Sequence, residues 1–289
     1  MTLAATLAGR STGAPPILIS DFSPPRGANL LDLRGGDEIS PDYYCVAYAP
    51  GRAVRPDPFA VAAALRARTG RPSIANLATR DANVLALSNT LMGAYLLGVR
   101  DVVVLAGDEF GGRDLSLVQA VRQVSPTGLI RQIVRLNEGI DFRGAKLLAP
   151  TSFSVGATVD LGRGVEHEVV LARRKIEAGA MFLLTQPIYD AELFERFVLA
   201  YAESGGPDLP PVVVGIDVPA TGSVSFAAVP EWVKRDLAAG RTGAEIALEV
   251  ATGLRPFGVP AYYVVPTILR GGARDYAGAA PVIEALRAG

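Results

Sequence analysis

Eight short apolar runs recur along the chain, and segments with helical patterning separate them. Several of the runs are continuously apolar instead of alternating, which is typical of parallel strands that are covered on both faces. The pattern therefore predicts an alternation of buried strands and helices. The predicted strands are 17–22, 43–48, 72–78, 101–106, 153–159, 181–185, 211–216 and 261–265.

Start and stop signals mark the helices between these runs. Asp57 followed by Pro58 predicts an N-cap with proline at the first helical position. Thr242 and Glu245 have the spacing of a capping box, and their helix is expected to run to about residue 254. Asp190 is expected to cap a helix over 191–203. Glycines stand where helices should end before the next strand, at Gly70, Gly98 and Gly179.

Eight alternations of strand and helix with no break in composition favour an α/β fold with one (β/α)8 TIM barrel, which commonly takes about 250 residues. We predict this catalytic barrel over residues 17–289, after a flexible N-terminal lead-in over 1–16. A doubly wound open sheet is the alternative, but the sequence has neither G-x-G-x-x-G after a strand nor G-x-x-x-x-G-K-[ST]. The long connection 109–150 is expected to hold a loop over 109–114 and a helix around 127–139.

The composition of the 289-residue chain excludes several functions. Its 28 Lys and Arg are balanced by 29 Asp and Glu and are spread along the sequence, which argues against nucleic-acid binding. Cys45 is the only cysteine and His167 the only histidine, so an internal disulfide, a Cys/His zinc site and a Ser-His-Asp triad are disfavoured. A metal site of carboxylates alone stays open, although we expect none. No apolar run approaches the roughly 18 residues of a membrane span, so we expect a cytoplasmic protein.

Polar side chains follow many of the predicted strands, at the edge where α/β folds bind ligands. Each of them could instead be a helix N-cap or a turn residue. Thr79 and Asp190 fit caps better than ligands, whereas Asp160 and Asp217 fit either role. The strand-end residues are Asp21, Tyr48, Asn76, Thr79, Asp108, Asp160, Gln186, Asp217 and Thr267.

Three of these residues are harder to explain as caps. Asp108 is followed by the loop-like sequence EFGG instead of a prompt helix start. Gln186 is a poor cap and precedes Pro187, which leaves its amide available to a ligand. Asp21 precedes a stiff Phe-Ser-Pro-Pro segment. A carboxyl group at the mouth of an apolar barrel favours its protonated form and can act as a general acid.

Three blocks of the sequence match one family. DFSPPR at 21–26 is similar to a first-strand signature that is usually Glu-Phe-Phe-Pro-Pro followed by Lys or Arg. The segment 79–108 is similar to a block that ends in Gly-Asp, and 173–197 to a block with Ala-Gly-Ala and Thr-Gln. In this order and spacing the chain resembles the methylenetetrahydrofolate reductases over about residues 17–263. Its segment 128–159 is closest to the short bacterial and archaeal members.

This resemblance implies an oxidoreductase that interconverts 5,10-methylenetetrahydrofolate and 5-methyltetrahydrofolate by hydride transfer, in one-carbon and methionine metabolism. In the family FAD usually relays the hydride from NADH or NADPH. The chemistry needs an acid that protonates N10 and a negative charge that stabilises the N5 iminium cation. By position Asp21 matches the acid, Asp108 the charge beside the pterin, and Gln186 an amide that hydrogen-bonds the pterin.

The same resemblance implies further contacts. Tyr48 is expected to contact the folate together with Asp108 and Gln186. Arg174 and Lys175 match a phosphate-facing basic pair of the family. The residues expected to hold the flavin are Asn76, Thr79, Leu105, Ala106, Gly107, Arg174 and Lys175.

The sequence departs from the family mainly on the flavin side. The acid is Asp21, whereas relatives have a glutamate that is one methylene longer. Ala47 and Asn76 stand in place of a threonine and a histidine, Leu171 in place of a polar residue, and the loop 160–164 is shortened. FAD is the expected cofactor, but direct use of NAD(P)H without flavin stays open. An enzyme that works in the oxidative direction, a folate-binding subunit without activity and a homo-oligomer also stay open.

Overall fold

The computed structural model describes residues 1–11 and 13–289, without the side chain of residue 270. Over these residues eight parallel strands pair in sequence order, and the last pairs with the first, so that they close into a barrel. The predicted (β/α)8 barrel is confirmed, and each apolar run forms a strand. The strands are β1 Ile17–Phe22, β2 Tyr43–Val46, β3 Ser73–Ala78, β4 Asp101–Leu105, β5 Ser154–Val159, β6 Phe182–Pro187, β7 Val212–Asp217 and β8 Ala261–Val265.

Helices surround the barrel, and a short antiparallel pair follows its last strand. This pair consists of β9 Thr267–Ile268 and β10 Arg274–Asp275. The helices are α1 Leu3–Ala8, α2 Pro58–Thr69, α3 Val84–Leu96, α4 Pro126–Asn137, α5 Val165–Glu177, α6 Ala191–Glu203, α7 Glu231–Ala238, α8 Gly243–Leu254 and α9 Tyr276–Ala288. The helix predicted around 127–139 in the long connection is α4.

Capping contacts confirm the predicted helix ends. The side chains of Asp57 and Asp190 accept backbone N–H groups at the starts of α2 and α6. Thr242 and Glu245 form the reciprocal capping box that opens α8. Gly70 ends α2 in the left-handed conformation, at a φ of 72°. These signals are local in sequence, so they can be recognised without knowledge of the tertiary structure.

Side chains that alternate along the strands fill the barrel interior. Ile19, Val103 and Tyr263 belong to this interior set, whereas the other strand faces pack against the helices. Gly156 in β5 leaves room for the ring of Phe182 in β6, because a Cβ at residue 156 would clash with that ring. The interior is therefore a packed core that opens towards ligands only at its end.

Part of the N-terminal segment, for which a flexible lead-in was expected, forms a helix. Residues 3–8 form α1, whose Leu3 and Leu7 are buried with the interior side chains at the amino-terminal end of the barrel. The N–H of Leu3 donates to Asp101 over 2.7 Å, and the N–H of Ala4 donates to Oγ of Ser154 over 3.2 Å. The two leucines lie one helical turn apart and so form one apolar stripe. Six residues are too few for this pattern to stand out in the sequence.

Candidate functional site

The carboxyl ends of the barrel strands form one mouth. Asp21 lies within β1 and Gln186 within β6, while Asp108 lies on the loop that follows β4. Because these strands run parallel, all three residues reach the same end of the barrel. This is the end at which barrels of this type bind ligands.

Asp21 is fully buried and belongs to an ion pair instead of presenting a free carboxyl group. Its Oδ2 accepts a hydrogen bond from Nε of Arg274 over 2.7 Å, and its Oδ1 accepts one from the hydroxyl of Tyr263 over 2.6 Å. Burial and the charge of Asp21 raise the pKa of Tyr263 well above its ordinary value, so its hydroxyl stays a donor. An acid role for Asp21 therefore requires a rearrangement of Arg274 or Tyr263.

Arg274 reaches Asp21 from β10, beyond the last strand of the barrel. Burial by itself would lower the pKa of Arg274, but the charge and hydrogen bond of Asp21 raise it overall. Its Nη1 donates to the carbonyl of Gly272 over 3.2 Å, while its Nη2 is buried and has no hydrogen-bond partner among the described residues. Removal of one member of such a buried pair typically costs about 3–5 kcal/mol.

Asp217, the last residue of β7, is a second buried carboxyl group at the mouth. The hydroxyl of Tyr189 donates to its Oδ2 over 2.9 Å. Burial raises the pKa of Asp217, and the charge of nearby Asp21 acts in the same direction. The next helix begins only at Glu231 with Pro230 as its N-cap, so the capping interpretation of Asp217 is wrong.

Two other strand-end residues have structural roles. Asp160 accepts the N–H of Gly162 over 3.2 Å at the start of a short 3-10 turn, which confirms the capping interpretation for this residue. The hydroxyl of Thr267 donates to the carbonyl of Val218 over 2.7 Å and ties the segment after β8 to the segment after β7. Neither side chain is needed to explain a ligand site.

Asp108 combines an exposed carboxylate with a firmly held main chain. Gly107 before it has a φ of 85°, a conformation that favours glycine. Nη1 of Arg80 donates to the carbonyl of Asp108 over 2.7 Å, while the other nitrogens of Arg80 form a two-point ion pair with Asp81. Among the described residues, no hydrogen bond engages the carboxylate of Asp108. It can therefore meet a ligand without losing a protein contact.

Gln186 lies at an irregular point of β6, where the pairing with β7 shifts its register between Leu184 and Pro187. The hydroxyl of Thr185 accepts the N–H of Gly215 over 2.8 Å. Glycine is needed at residue 215, because a Cβ there would lie 2.8 Å from the backbone of β6. Such irregularities re-aim a side chain, and Gln186 is partly exposed. Its amide is thus available at the mouth.

Tyr48 is half-buried just beyond β2. Burial and then the charge of Asp81 raise the pKa of Tyr48, and the two side chains are close enough to share a hydrogen bond. The phenol therefore stays protonated at neutral pH. Since Asp81 also pairs with Arg80, which holds Asp108, Tyr48 lies on the same side of the mouth as Asp108.

Five of the residues expected to hold a flavin lie together at the adjoining ends of β3 and β4, where the N–H of Thr79 donates to the carbonyl of Leu105 over 3.1 Å. Leu105 ends β4, and Ala106 and Gly107 continue along the mouth. Asn76 lies inside the barrel, where its Oδ1 accepts a 3.7 Å contact from the thiol of Cys45. Thr79 is buried as well, and it is not a cap, because Asn83 caps α3.

The basic pair of α5 is split between two places. Arg174 is exposed and lines a groove on the outer surface between α5 and α6. Lys175 instead donates from Nζ to the carbonyl of Thr158 in β5 over 2.6 Å, and burial lowers the pKa of Lys175. The two cations therefore do not form a common phosphate cradle. These two residues do not fit the paired phosphate contact of the FAD site that the family implies.

Sequence reasoning missed Arg274, Tyr263 and Arg80, which organise the mouth. Tyr263 gave a signal, because it alternates with Ala261 and Val265 and so places a large polar aromatic group on the inward face of β8. The signal for Arg274 was weaker, namely that it follows two glycines closely after the last barrel strand. Arg80 gave none, since its role depends on a carbonyl that lies 28 residues away.

No group of three or more His, Cys, Asp or Glu side chains in residues 1–11 and 13–289 is placed to hold a metal ion. Nor does that part of the chain contain a helix with the length and apolarity needed to cross a membrane.

Solved structures share the fold of this chain. A protein from Clostridium thermocellum that binds two copies of 5-methyl-5,6,7,8-tetrahydrofolic acid superposes with a TM-score of 0.69 at 12% identity, over 99% of this chain and 98% of that one. For 2,3-dimethylmalate lyase the TM-score is 0.54 at 16% identity, over 99% and 84%. For oxaloacetate acetylhydrolase with 3,3-difluorooxalacetate it is 0.50 at 15% identity, over 95% and 80%. Such low identities show the fold alone.

The family itself is shown by the sequence. The model of the family described as methylenetetrahydrofolate reductase matches residues 17–244, which is more than half of the chain. The matched part runs from the start of β1 into α8 and contains Asp21, Asp108 and Gln186. The chain therefore belongs to the methylenetetrahydrofolate reductase family.

Proposed function

We propose that the protein interconverts 5,10-methylenetetrahydrofolate and 5-methyltetrahydrofolate by hydride transfer. Family membership supports a folate-related activity, and a structural neighbour binds 5-methyltetrahydrofolate. The observation that carries the proposal is the exposed carboxylate of Asp108, held at the mouth by its backbone and standing where the family has its Gly-Asp motif.

The pterin-binding roles go to the two accessible strand-end residues. A carboxylate beside N5 stabilises the iminium cation that forms when the imidazolidine ring opens, and Asp108 can supply this charge. The amide of Gln186 can donate and accept at once, which suits the adjacent donors and acceptors of a pterin ring. The protonated phenol of Tyr48 can add a hydrogen bond on the side of Asp108.

Two buried carboxyl groups are candidates for the acid that protonates N10. Asp21 matches the family position, but both of its oxygens already accept hydrogen bonds, so it can deliver a proton only after Arg274 or Tyr263 moves. Asp217 forms no ion pair within the described part of the chain, and burial raises the pKa of Asp217. A higher pKa keeps more of the acid protonated near neutral pH. Loss of turnover in Asp21→Asn or in Asp217→Asn would identify the donor.

A flavin-independent form of the reaction is the second candidate. It is favoured by the separation of Arg174 from Lys175, which removes the cradle expected for the flavin phosphates. In this form NADH or NADPH is the direct hydride donor, and no step uses FAD. A visible absorption spectrum of the purified protein decides between the two forms, since a bound flavin absorbs visible light and a nicotinamide does not.

The activity is tested in both directions. One assay follows NAD(P)H-dependent reduction of methylenetetrahydrofolate, and the other follows oxidation of methyltetrahydrofolate with an artificial acceptor. Asp108→Asn should lose most turnover, whereas Asp160→Asn, a matched change at a capping carboxylate of the same mouth, should keep it. A wild-type protein that binds methyltetrahydrofolate but turns over neither substrate would instead be a folate-binding subunit.

A further inference from the structure

We infer that Arg26, Arg55 and Arg274 form an anion-binding subsite at the edge of the mouth, between the loops that follow β1, β2 and β8. It takes a carboxylate or phosphate group of a ligand whose other end enters the barrel. None of the three residues was expected from the sequence to bind a ligand. The subsite lies away from α5, whose basic residues were expected to face phosphates.

Arg55 lies in a setting that lacks a negative charge. Its Nη1 donates to the carbonyl of Pro24 over 2.8 Å and its Nη2 to the carbonyl of Gly271 over 3.2 Å. Its Nε is buried and has no hydrogen-bond partner among the described residues. Burial lowers the pKa of Arg55, and the positive charges of Arg26 and Arg274 lower it further. In the described part of the chain no carboxylate pairs with it.

Arg274 adds a second guanidinium group with an unpaired nitrogen, although its Nε is paired with Asp21. It donates to the carbonyl of Gly272, next to the carbonyl of Gly271 that Arg55 uses, so both arginines meet at one turn. Glycine is required in this turn, because residue 272 has a φ of 83° and a Cβ there would lie 3.1 Å from Nη2 of Arg55. The buried Nη2 of Arg274 has no partner there either.

The charges at this edge do not cancel. Three guanidinium groups lie at this edge with two carboxyl groups, those of Asp21 and Asp217. Both oxygens of Asp21 are already used by Tyr263 and Arg274, and Oδ2 of Asp217 accepts a hydrogen bond from Tyr189. Buried charges and buried N–H groups are normally paired, since leaving them unpaired costs free energy. An anion with two or more oxygens would pair with the free N–H groups in the two-point geometry that arginine favours. The excess positive charge is thus a recognition element.

Two ligands of this site could carry such a group. The glutamate end of a folate carries carboxylates, and this identification rests on the proposed function. A nicotinamide dinucleotide carries phosphates instead. The subsite itself rests on neither, because it follows from the charges and the unpaired N–H groups.

The test compares four probes on three variants. The probes are 5-methyltetrahydrofolate, a tetrahydropterin that lacks the glutamate end, NADH and inorganic phosphate, and dissociation constants are measured by calorimetry. Arg55→Gln removes the central charge. Arg26→Gln removes a charge whose side chain is exposed and makes no hydrogen bond in the described residues, so this variant keeps the fold. Arg196→Gln, an exposed arginine on α6, is the matched control.

Arg55→Gln should weaken the binding of phosphate and of at least one large anionic ligand about tenfold. This is the scale of a lost charge-assisted hydrogen bond. Arg26→Gln should weaken the same ligands less, and the tail-less pterin should bind both variants like wild type. If only the binding of 5-methyltetrahydrofolate is weakened, the subsite binds the glutamate end of the folate. If only the binding of NADH is weakened, the subsite binds the phosphates of the dinucleotide.

The subsite would be overturned if all four probes bound to Arg26→Gln and Arg55→Gln as they bind to wild type. It would also be overturned if the control variant Arg196→Gln lost as much affinity as those two variants. If Arg55→Gln fails to fold, Arg26→Gln decides, with unchanged phosphate binding counting against the proposal. A failure of the proposed function looks different, because wild type would then turn over no folate while phosphate binding still responded to Arg26→Gln.

Discussion

Replacement of Asp101 by asparagine is expected to stabilise the protein at neutral pH. Asp101 is 3% exposed at the first position of β4, where it accepts the N–H of Leu3 from α1. Burial raises the pKa of Asp101 to about 6, and hydrogen bonds from Leu3 and Ser154 offset only part of this effect. The folded state therefore disfavours the ionised carboxylate that predominates at neutral pH.

The size of this stability effect and the pH range over which it appears follow from the raised pKa of Asp101. The pKa rises from 3.8 to about 6, and one unit corresponds to about 1.4 kcal/mol, so ionised Asp101 lowers the free energy of unfolding by about 3 kcal/mol relative to a neutral group. The folded state binds this proton more tightly than the unfolded chain. Protonated Asp101 thus makes its full contribution to the free energy of unfolding below about pH 4, and this contribution is lost as the pH rises to about 6.

Asparagine keeps an oxygen that can accept the N–H of Leu3, and its amide can donate to Oγ of Ser154. The Asp101→Asn variant should therefore exceed wild type by up to about 3 kcal/mol above pH 6 and by little below pH 4.

Urea unfolding of Asp101→Asn and wild type across this pH range measures the difference between their free energies of unfolding. The titration of all other groups cancels in this difference. Asp208→Asn, at an exposed position without a hydrogen bond in the described residues, is the matched control and should leave stability unchanged. A variant that is less stable than wild type by the same amount at every pH would refute the reasoning. It would show that the charged bonds to α1 outweigh the cost of burial.

Three further changes test other parts of the structure. Asp108→Asn should lower folate turnover by roughly 10²–10³-fold, the scale of losing one preorganised electrostatic partner, with an unchanged melting temperature; unaltered turnover would leave the carboxylate without a catalytic role. Asp21→Asn should lower the free energy of unfolding by about 3–5 kcal/mol in urea titrations, because it leaves Arg274 buried without its counter-charge, and a neutral effect would contradict the ion pair. Gly156→Ala pushes a methyl group into the ring of Phe182 and should cost about 1–3 kcal/mol, so a variant as stable as wild type would argue against the close packing.

The fold was predictable because its signals are local. Continuous apolar runs, the capping residue Asp57 and the capping box at Thr242 each depend on a few neighbouring residues. The strand-end positions of Asp21, Asp108 and Gln186 followed from the same alternation, and parallel closure then placed them at one mouth.

The state of each side chain could not be predicted in this way. The partners of Asp21 are Tyr263 and Arg274, which lie 242 and 253 residues away, so nothing near residue 21 indicates that its carboxylate is already bound. The same holds for Arg174 and Lys175. They are adjacent in sequence, but the helix sends one to the outer surface and the other towards β5.

The docking of α1 has a consequence for the order in which the chain reaches its final form during synthesis. Leu3 and Ala4 leave the ribosome before their partners Asp101 and Ser154, which follow 98 and 150 residues later. Helix α1 therefore cannot form these contacts until β4 and β5 have been synthesised. Ribosome-bound chains that end before β5 should thus expose residues 3–8 to protease, and chains that extend past β5 should begin to protect them.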